Sequence, residues 1–201
     1  MTGECWLPTL AARLPRTQAA IDYAERMHAG QRRADGTPFI LHPLEVASLL
    51  YDAGAPDHLI AAGVMHDLIE KTDASAADVR DRFGPRISGL VLAVSDDDRI
   101  EGYADRKAAL RRQVAHAGDE ALCLFAADKL SKLRELRREA AVDRERGAAT
   151  GRLRALRARR LRHYRRSVAL LEERLPQSCL VRALREELHG SLRERAMVMT
   201  G

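Results

Sequence analysis

Apolar residues recur at helical spacing along most of the chain. Ile21, Ala24 and Met27 share one face of a segment that predicts a helix from Thr17, read as its N-cap, to about Ala29, with Gly30 as its stop. Residues 31–40 are rich in turn formers and basic at the start, and predict a loop. Pro43 suits the first turn of a helix running to about Ala53, with Val46, Leu49 and Leu50 as its stripe. Pro56-Asp57 opens a helix in which Leu59, Ile60, Gly63, Val64 and Leu68 recur at helical spacing and predict burial. That helix is expected to continue through His66 and Asp67, which places His66 and Glu70 one turn apart on the same face. Thr72 to Ser75 read as a turn and N-cap. Helices are expected up to Phe83, from Pro85 (Ile87, Leu90, Val91, Val94), from Tyr103 to Ala115 and from Glu120 to Arg144. Residues 147–151 break the pattern, and two helices over roughly 152–174 and 178–195 complete it.

Composition supports the same class. Aromatics are only 4% of the 201 residues, charged residues are 31%, and Ala, Leu and Arg dominate. This predicts an all-α fold, a helical bundle with additional C-terminal helices. The expected division is a lead-in over residues 1–16, a main domain over 17–145 and arginine-rich helices over 146–201 packed on the same domain, with no repeats. No apolar run approaches the length of a membrane span and there is no signal-peptide pattern. Cys5, Cys123 and Cys179 match no zinc spacing and read as reduced thiols, which suits the cytoplasm.

Charge is unevenly distributed. Residues 1–100 hold 10 Lys/Arg and 15 Asp/Glu, a net of −5, and the remainder of the 34 and 29 leaves 24 against 14, a net of +10. An acidic front and a basic back point to an anionic ligand or partner. The basic excess concentrates in Arg152, Arg154, Arg157, Arg159, Arg160, Arg162, Arg165 and Arg166. That segment reads as a solvated face partly neutralised by acidic neighbours. Nucleic acid is not the expected partner, because recognised RNA-binding motifs are absent and stacking aromatics are scarce. The run Ser95-Asp96-Asp97-Asp98 lacks calcium-loop spacing and reads as a solvated turn.

The chemistry concentrates in His42, His66, Asp67 and Asp128, each flanked by apolar residues. Singly, each has a plain structural role: His42 starts a helix, His66 and Asp67 end one, and Asp128 pairs with Lys129 or an arginine. Together they form a mixed imidazole and carboxylate set suited to Mn²⁺, Fe²⁺ or Zn²⁺. No thiolate accompanies them, which argues against a structural zinc site, and four protein ligands leave coordination positions for water and substrate.

The segments Met27-His28-Ala29-Gly30-Gln31, Arg33, Gly36 to Ala47, His66-Asp67-Leu68-Ile69-Glu70, Phe83-Gly84 and Ala127-Asp128-Lys129-Leu130 occur in that order. Over about residues 17–140 the chain resembles the HD hydrolase domain of RelA/SpoT-type guanosine polyphosphate enzymes, in particular the small stand-alone SpoT homologues. The resemblance implies an HD-domain fold, Mn²⁺ held by His42, His66, Asp67 and Asp128, and removal of the 3′-pyrophosphate of (p)ppGpp, a small phosphorylated nucleotide. It implies that Arg33 packs on the guanine base and that Glu70 handles the attacking water. Three positions depart from the pattern: Lys71 replaces the second acid of a Glu-Asp pair, Lys132 replaces an asparagine, and Ala34 replaces a lysine. Lys71 is thus the altered catalytic position, and Lys129 and Lys132 are candidate phosphate contacts. The alternatives are a nucleotide-binding sensor that has lost turnover, a hydrolase of another phosphorylated substrate, and an RNA-associated helical protein.

Overall fold

The computed structural model describes residues 14–33, 35–147 and 150–199, with side chains through Leu192. Cys5, most of the expected lead-in and Ala34 lie outside the described residues. The helices are α1 (Pro15–Met27), α2 (Leu41–Asp52), α3 (Asp57–Met65), α4 (Leu68–Lys71), α5 (Ala76–Phe83), α6 (Pro85–Val94), α7 (Tyr103–Ala117), α8 (Asp119–Glu145), α9 (Gly151–Arg174) and α10 (Cys179–Met199). Among the described residues the only extended pairing is one isolated bridge between Arg32 and Pro38. The fold class is all-α.

The helices form two compact units that divide between Asp96 and Asp97. The boundary expected at residue 145 falls inside the second unit. In the first unit α3 is central and packs against α1, α2 and α6. Every residue from His58 to Met65 is buried, as its all-round apolar sequence demands. Gly63 sets the spacing to α2: a Cβ there would lie 2.6 Å from Leu50 Cδ1 and 3.5 Å from Val46 Cγ1.

The first helix does not begin at Thr17. It begins at Pro15, so Pro15 and Arg16 of the expected lead-in form its first turn. Leu14 at the N-cap provides no side-chain bond, and Asp57 of α3 takes that role from a distance. Its carboxylate accepts from Arg16 N at 3.1 Å, Thr17 N at 2.9 Å and Thr17 Oγ1 at 2.7 Å. Farther along, Ser75 caps α5 in a reciprocal box with Asp78, whose carboxyl is held below its ordinary range by those Ser75 bonds.

In the second unit α8 is central and packs against α7, α9 and α10, while α10 also packs on α9. Leu122, Leu124, Phe125, Leu130 and Leu133 of α8 and Leu171 and Leu184 of its neighbours form the core. Two arginines of the basic helix are neutralised by α8: Arg157 pairs with Asp143, and Arg160 lies 3.7 Å from Glu139. Arg152, Arg154, Arg162, Arg165 and Arg166 are exposed. Asp97 is chelated by the Arg99 guanidinium at 2.8 and 2.9 Å, which lowers its carboxyl pKa.

Candidate functional site

The helix carrying His66 stops earlier than its apolar pattern predicts. It ends at Met65, and His66 and Asp67 occupy a turn before α4. His66 Nδ1 bonds to Gly63 O at 2.8 Å. That carbonyl is the acceptor an uninterrupted helix would offer to Asp67 N–H, so the side chain competes with the backbone where the helix ends. Glu70 therefore lies on α4, beyond the turn, rather than one turn along the same helix.

The bond to Gly63 O fixes the His66 tautomer with the proton on Nδ1. Its Nε2 then points a lone pair at His42 Nε2, 3.2 Å away. Asp67 approaches both rings: Oδ2 is 3.5 Å from His42 Nε2, and Oδ1 is 3.5 Å from His66 Nε2. All three residues are about 3% exposed. Two imidazole nitrogens and a carboxylate thus converge in a buried place without thiolates. This donor set fits a borderline divalent cation. A cation there would also compensate a carboxylate whose burial is otherwise costly.

The loop from His28 to Leu41 supports His42. Phe39 lies between two imidazoles, with ring centroids 4.8 Å from His28 and 6.3 Å from His42. Gln31 ties the start of the loop to α4, pairing with His28 Nδ1 at 2.9 Å and donating to Lys71 O at 2.7 Å. Arg33 is half-buried, and its N–H donates to Thr37 O at 2.8 Å. Gly36 makes the turn with φ 86°, and Asp35 accepts from Thr37 N and Oγ1.

Glu70 is half-buried, and its Oε1 accepts from Asp96 N at 2.6 Å. Lys71 is exposed. Two supporting residues were not singled out as site residues in the sequence. His28 is buried beside the cluster, and burial lowers its pKa against the pull of Gln31 and Asp67. Asp96 sat in what read as a plain acidic turn, and its backbone rather than its carboxylate makes the contact. The signal for His28 was its place in the Met27–Gln31 motif; nothing in the sequence pointed to the Asp96 amide.

In the second unit, Asp128 is buried on α8 and is held by two lysines. Lys129 Nζ is 2.5 Å from Oδ2 and also lies over the Phe125 ring, 4.5 Å from its centroid. Lys132 Nζ is 2.9 Å from Oδ1, one turn along the helix. Burial pulls the Lys129 ammonium pKa down, against the raising effect of Asp128. Both candidate phosphate-binding lysines are therefore engaged with a carboxylate.

His163 on α9 is a buried imidazole of that unit. Its Nδ1 accepts from Arg111 Nη1 at 2.9 Å, and Nε2 has no hydrogen-bond partner. Burial, with Lys129, Lys107 and Arg111 nearby, pushes its pKa down to about 2. Tyr164 beside it is raised by burial. Cys123 and Cys179 are free thiols, and burial raises the Cys123 pKa, which makes it a poor nucleophile. No described helix is long and apolar enough to cross a membrane.

A family profile described as HD domain matches residues 20–160. The chain is 39% identical over 123 residues to a Homo sapiens protein named guanosine-3′,5′-bis(diphosphate) 3′-pyrophosphohydrolase MESH1, covering 59% of this chain and 68% of that one. It is 30% identical over 121 residues to an Aquifex aeolicus guanosine-3′,5′-bis(diphosphate) 3′-pyrophosphohydrolase, covering 59% of this chain but only 17% of that longer protein. A solved structure described as a metazoan ortholog of SpoT that hydrolyzes ppGpp matches with a TM-score of 0.72 and 26% identity, over 88% of this chain and 95% of that one. With the profile running from the first helix well into the basic helix, the chain belongs to the HD domain family.

Proposed function

We propose that this chain is a metal-dependent phosphohydrolase that removes the 3′-pyrophosphate of a guanosine polyphosphate. The observation that carries the reading is the buried convergence of His42, His66 and Asp67, with separations of 3.2 and 3.5 Å. Relatives that carry this activity in their names support it. The sequence pattern adds Asp128 as the fourth ligand. Mn²⁺ is the proposed ion, ahead of Fe²⁺ and Zn²⁺. When bound, such an ion polarises a phosphoryl oxygen and lowers the pKa of a coordinated water.

The protein's own groups do the rest. Glu70, oriented through Oε1 by the Asp96 amide, takes a proton from the attacking water at Oε2. The water oxygen bonds to the phosphorus attached to the ribose 3′-oxygen. The bond from that phosphorus to the 3′-oxygen breaks, and the proton returns from Glu70 to the 3′-oxygen. The products are GDP or GTP and pyrophosphate. Arg33 stacks on the base, and Lys132 supplies positive charge for the phosphates, while Lys129 stays paired with Asp128. Lys71, exposed beside Glu70, tunes the charge around the proton acceptor. A nucleotide substrate and the free thiols of Cys123 and Cys179 support a cytoplasmic location.

The test is pyrophosphate release from ppGpp with added Mn²⁺, run beside a His66→Ala/Asp67→Ala variant. Equal rates for the two proteins sink the site assignment. A second reading, a nucleotide sensor without turnover, is favoured by one observation: both Asp128 oxygens are held by lysines. It predicts thermal stabilisation by ppGpp with no product formed.

A further inference from the structure

We propose that Lys132 is a tethered cation that shares Asp128 with the metal, so that the ammonium and the divalent ion occupy Asp128 Oδ1 in alternation. This rests on the assignment of Asp128 to the metal set. A single buried carboxylate needs one positive partner to offset its desolvation, and two lysines reach Asp128.

The two lysines are not equivalent. Lys129 has a side chain only 5% exposed, reaches Oδ2 at 2.5 Å and rests on Phe125. Withdrawing it would move a buried ammonium and strip the Phe125 face, so it is the permanent partner. Lys132 has a side chain 32% exposed and reaches Oδ1 at 2.9 Å from one turn along the helix. Its four-carbon stem reaches the solvent boundary, and a rotamer change can turn the ammonium into water.

A divalent ion bound at Oδ1 would stand within a few ångströms of that ammonium, and like charges at that separation repel strongly in a buried setting. Metal entry therefore expels Lys132. The expelled ammonium stays tethered near the ion and suits a phosphate oxygen as a point charge. By linkage, an anion that draws Lys132 off Asp128 makes metal entry easier. Lys132 thus sets the metal affinity of this chain, keeping it low until an anionic ligand is present.

The test is Mn²⁺ titration followed by the loss of the free-ion electron paramagnetic resonance signal. It is run on the full chain as wild type, Lys132→Met, Lys132→Arg and His66→Ala, each first checked for a cooperative thermal transition. Lys132→Met is expected to bind Mn²⁺ about tenfold tighter than wild type, while Lys132→Arg, which keeps the charge, stays near wild type. If Lys132→Met binds equally or more weakly while His66→Ala loses the ion, the metal site stands and the role of Lys132 is overturned. If wild type and Lys132→Met both fail to bind, or His66→Ala binds as wild type does, the metal reading falls and takes this inference with it.

Discussion

His66 Nδ1 bonds to the Gly63 carbonyl at 2.8 Å, and this contact both ends α3 and turns His66 Nε2 toward His42. The tautomer, the helix stop and the ligand direction share one local cause. Replacing His66 with alanine is expected to remove bound Mn²⁺ and lower the rate of pyrophosphate release by at least about 100-fold. Chelation of the wild type should reproduce that loss, and Mn²⁺ should restore it to the wild type only. Metal content by mass spectrometry and the rate assay check this together.

Gly63 also lets α2 approach α3. An added Cβ would lie 2.6 Å from Leu50 Cδ1, and Leu50 is fully buried, so it cannot move aside cheaply. Alanine gains helix propensity, but overpacking opposes it. Gly63→Ala is expected to cost about 1–3 kcal/mol net. Urea unfolding measures this directly, and a neutral or stabilising result would show that the interface yields.

Much of this was legible in the sequence because helix periodicity and helix punctuation are local. Pro43, Pro85, Ser75 and Gly54 mark ends that the structure places within a residue or two of expectation. The His66 break was hidden because His66 and Asp67 keep near-helical backbone angles, and Leu68 continues the apolar pattern beyond them. The start of α1 was misread because its cap comes from Asp57, about 40 residues away. No local pattern reports a cap supplied from another helix. The Lys132 contact at the second Asp128 oxygen follows an i,i+4 spacing on α8, a local signal that a reading of Lys132 as a phosphate contact leaves unused.

The Asp57 cap yields a stability prediction. Its carboxylate satisfies two backbone N–H groups in the first turn of α1 and the Thr17 hydroxyl. Asp57→Ala leaves those donors at a helix start without their acceptor, and is expected to cost about 1–3 kcal/mol. Asp57→Asn keeps an acceptor oxygen and should cost less. Thermal unfolding of both variants tests the order, and equal midpoints for all three proteins would show that water replaces the cap.

His163 makes the stability of the second unit depend on pH. Its folded pKa lies near 2, against 6.5 for an ordinary histidine. Between those values the unfolded chain binds a proton that the folded chain refuses, so stability rises with pH through the window. At pH 7 and above both states are neutral and the contribution is flat. As pH falls below 6.5 the native state loses up to about 1.4 kcal/mol per pH unit from this residue. The cause is physical: a proton on Nδ1 would displace the bond from Arg111, and the charge would be buried beside Lys129 and Lys107. His163→Gln cannot titrate and can still accept from Arg111. Its stability should run parallel to wild type above pH 7 and fall more slowly than wild type below pH 6. Parallel curves across the whole range would show that His163 gains a proton freely in the folded protein.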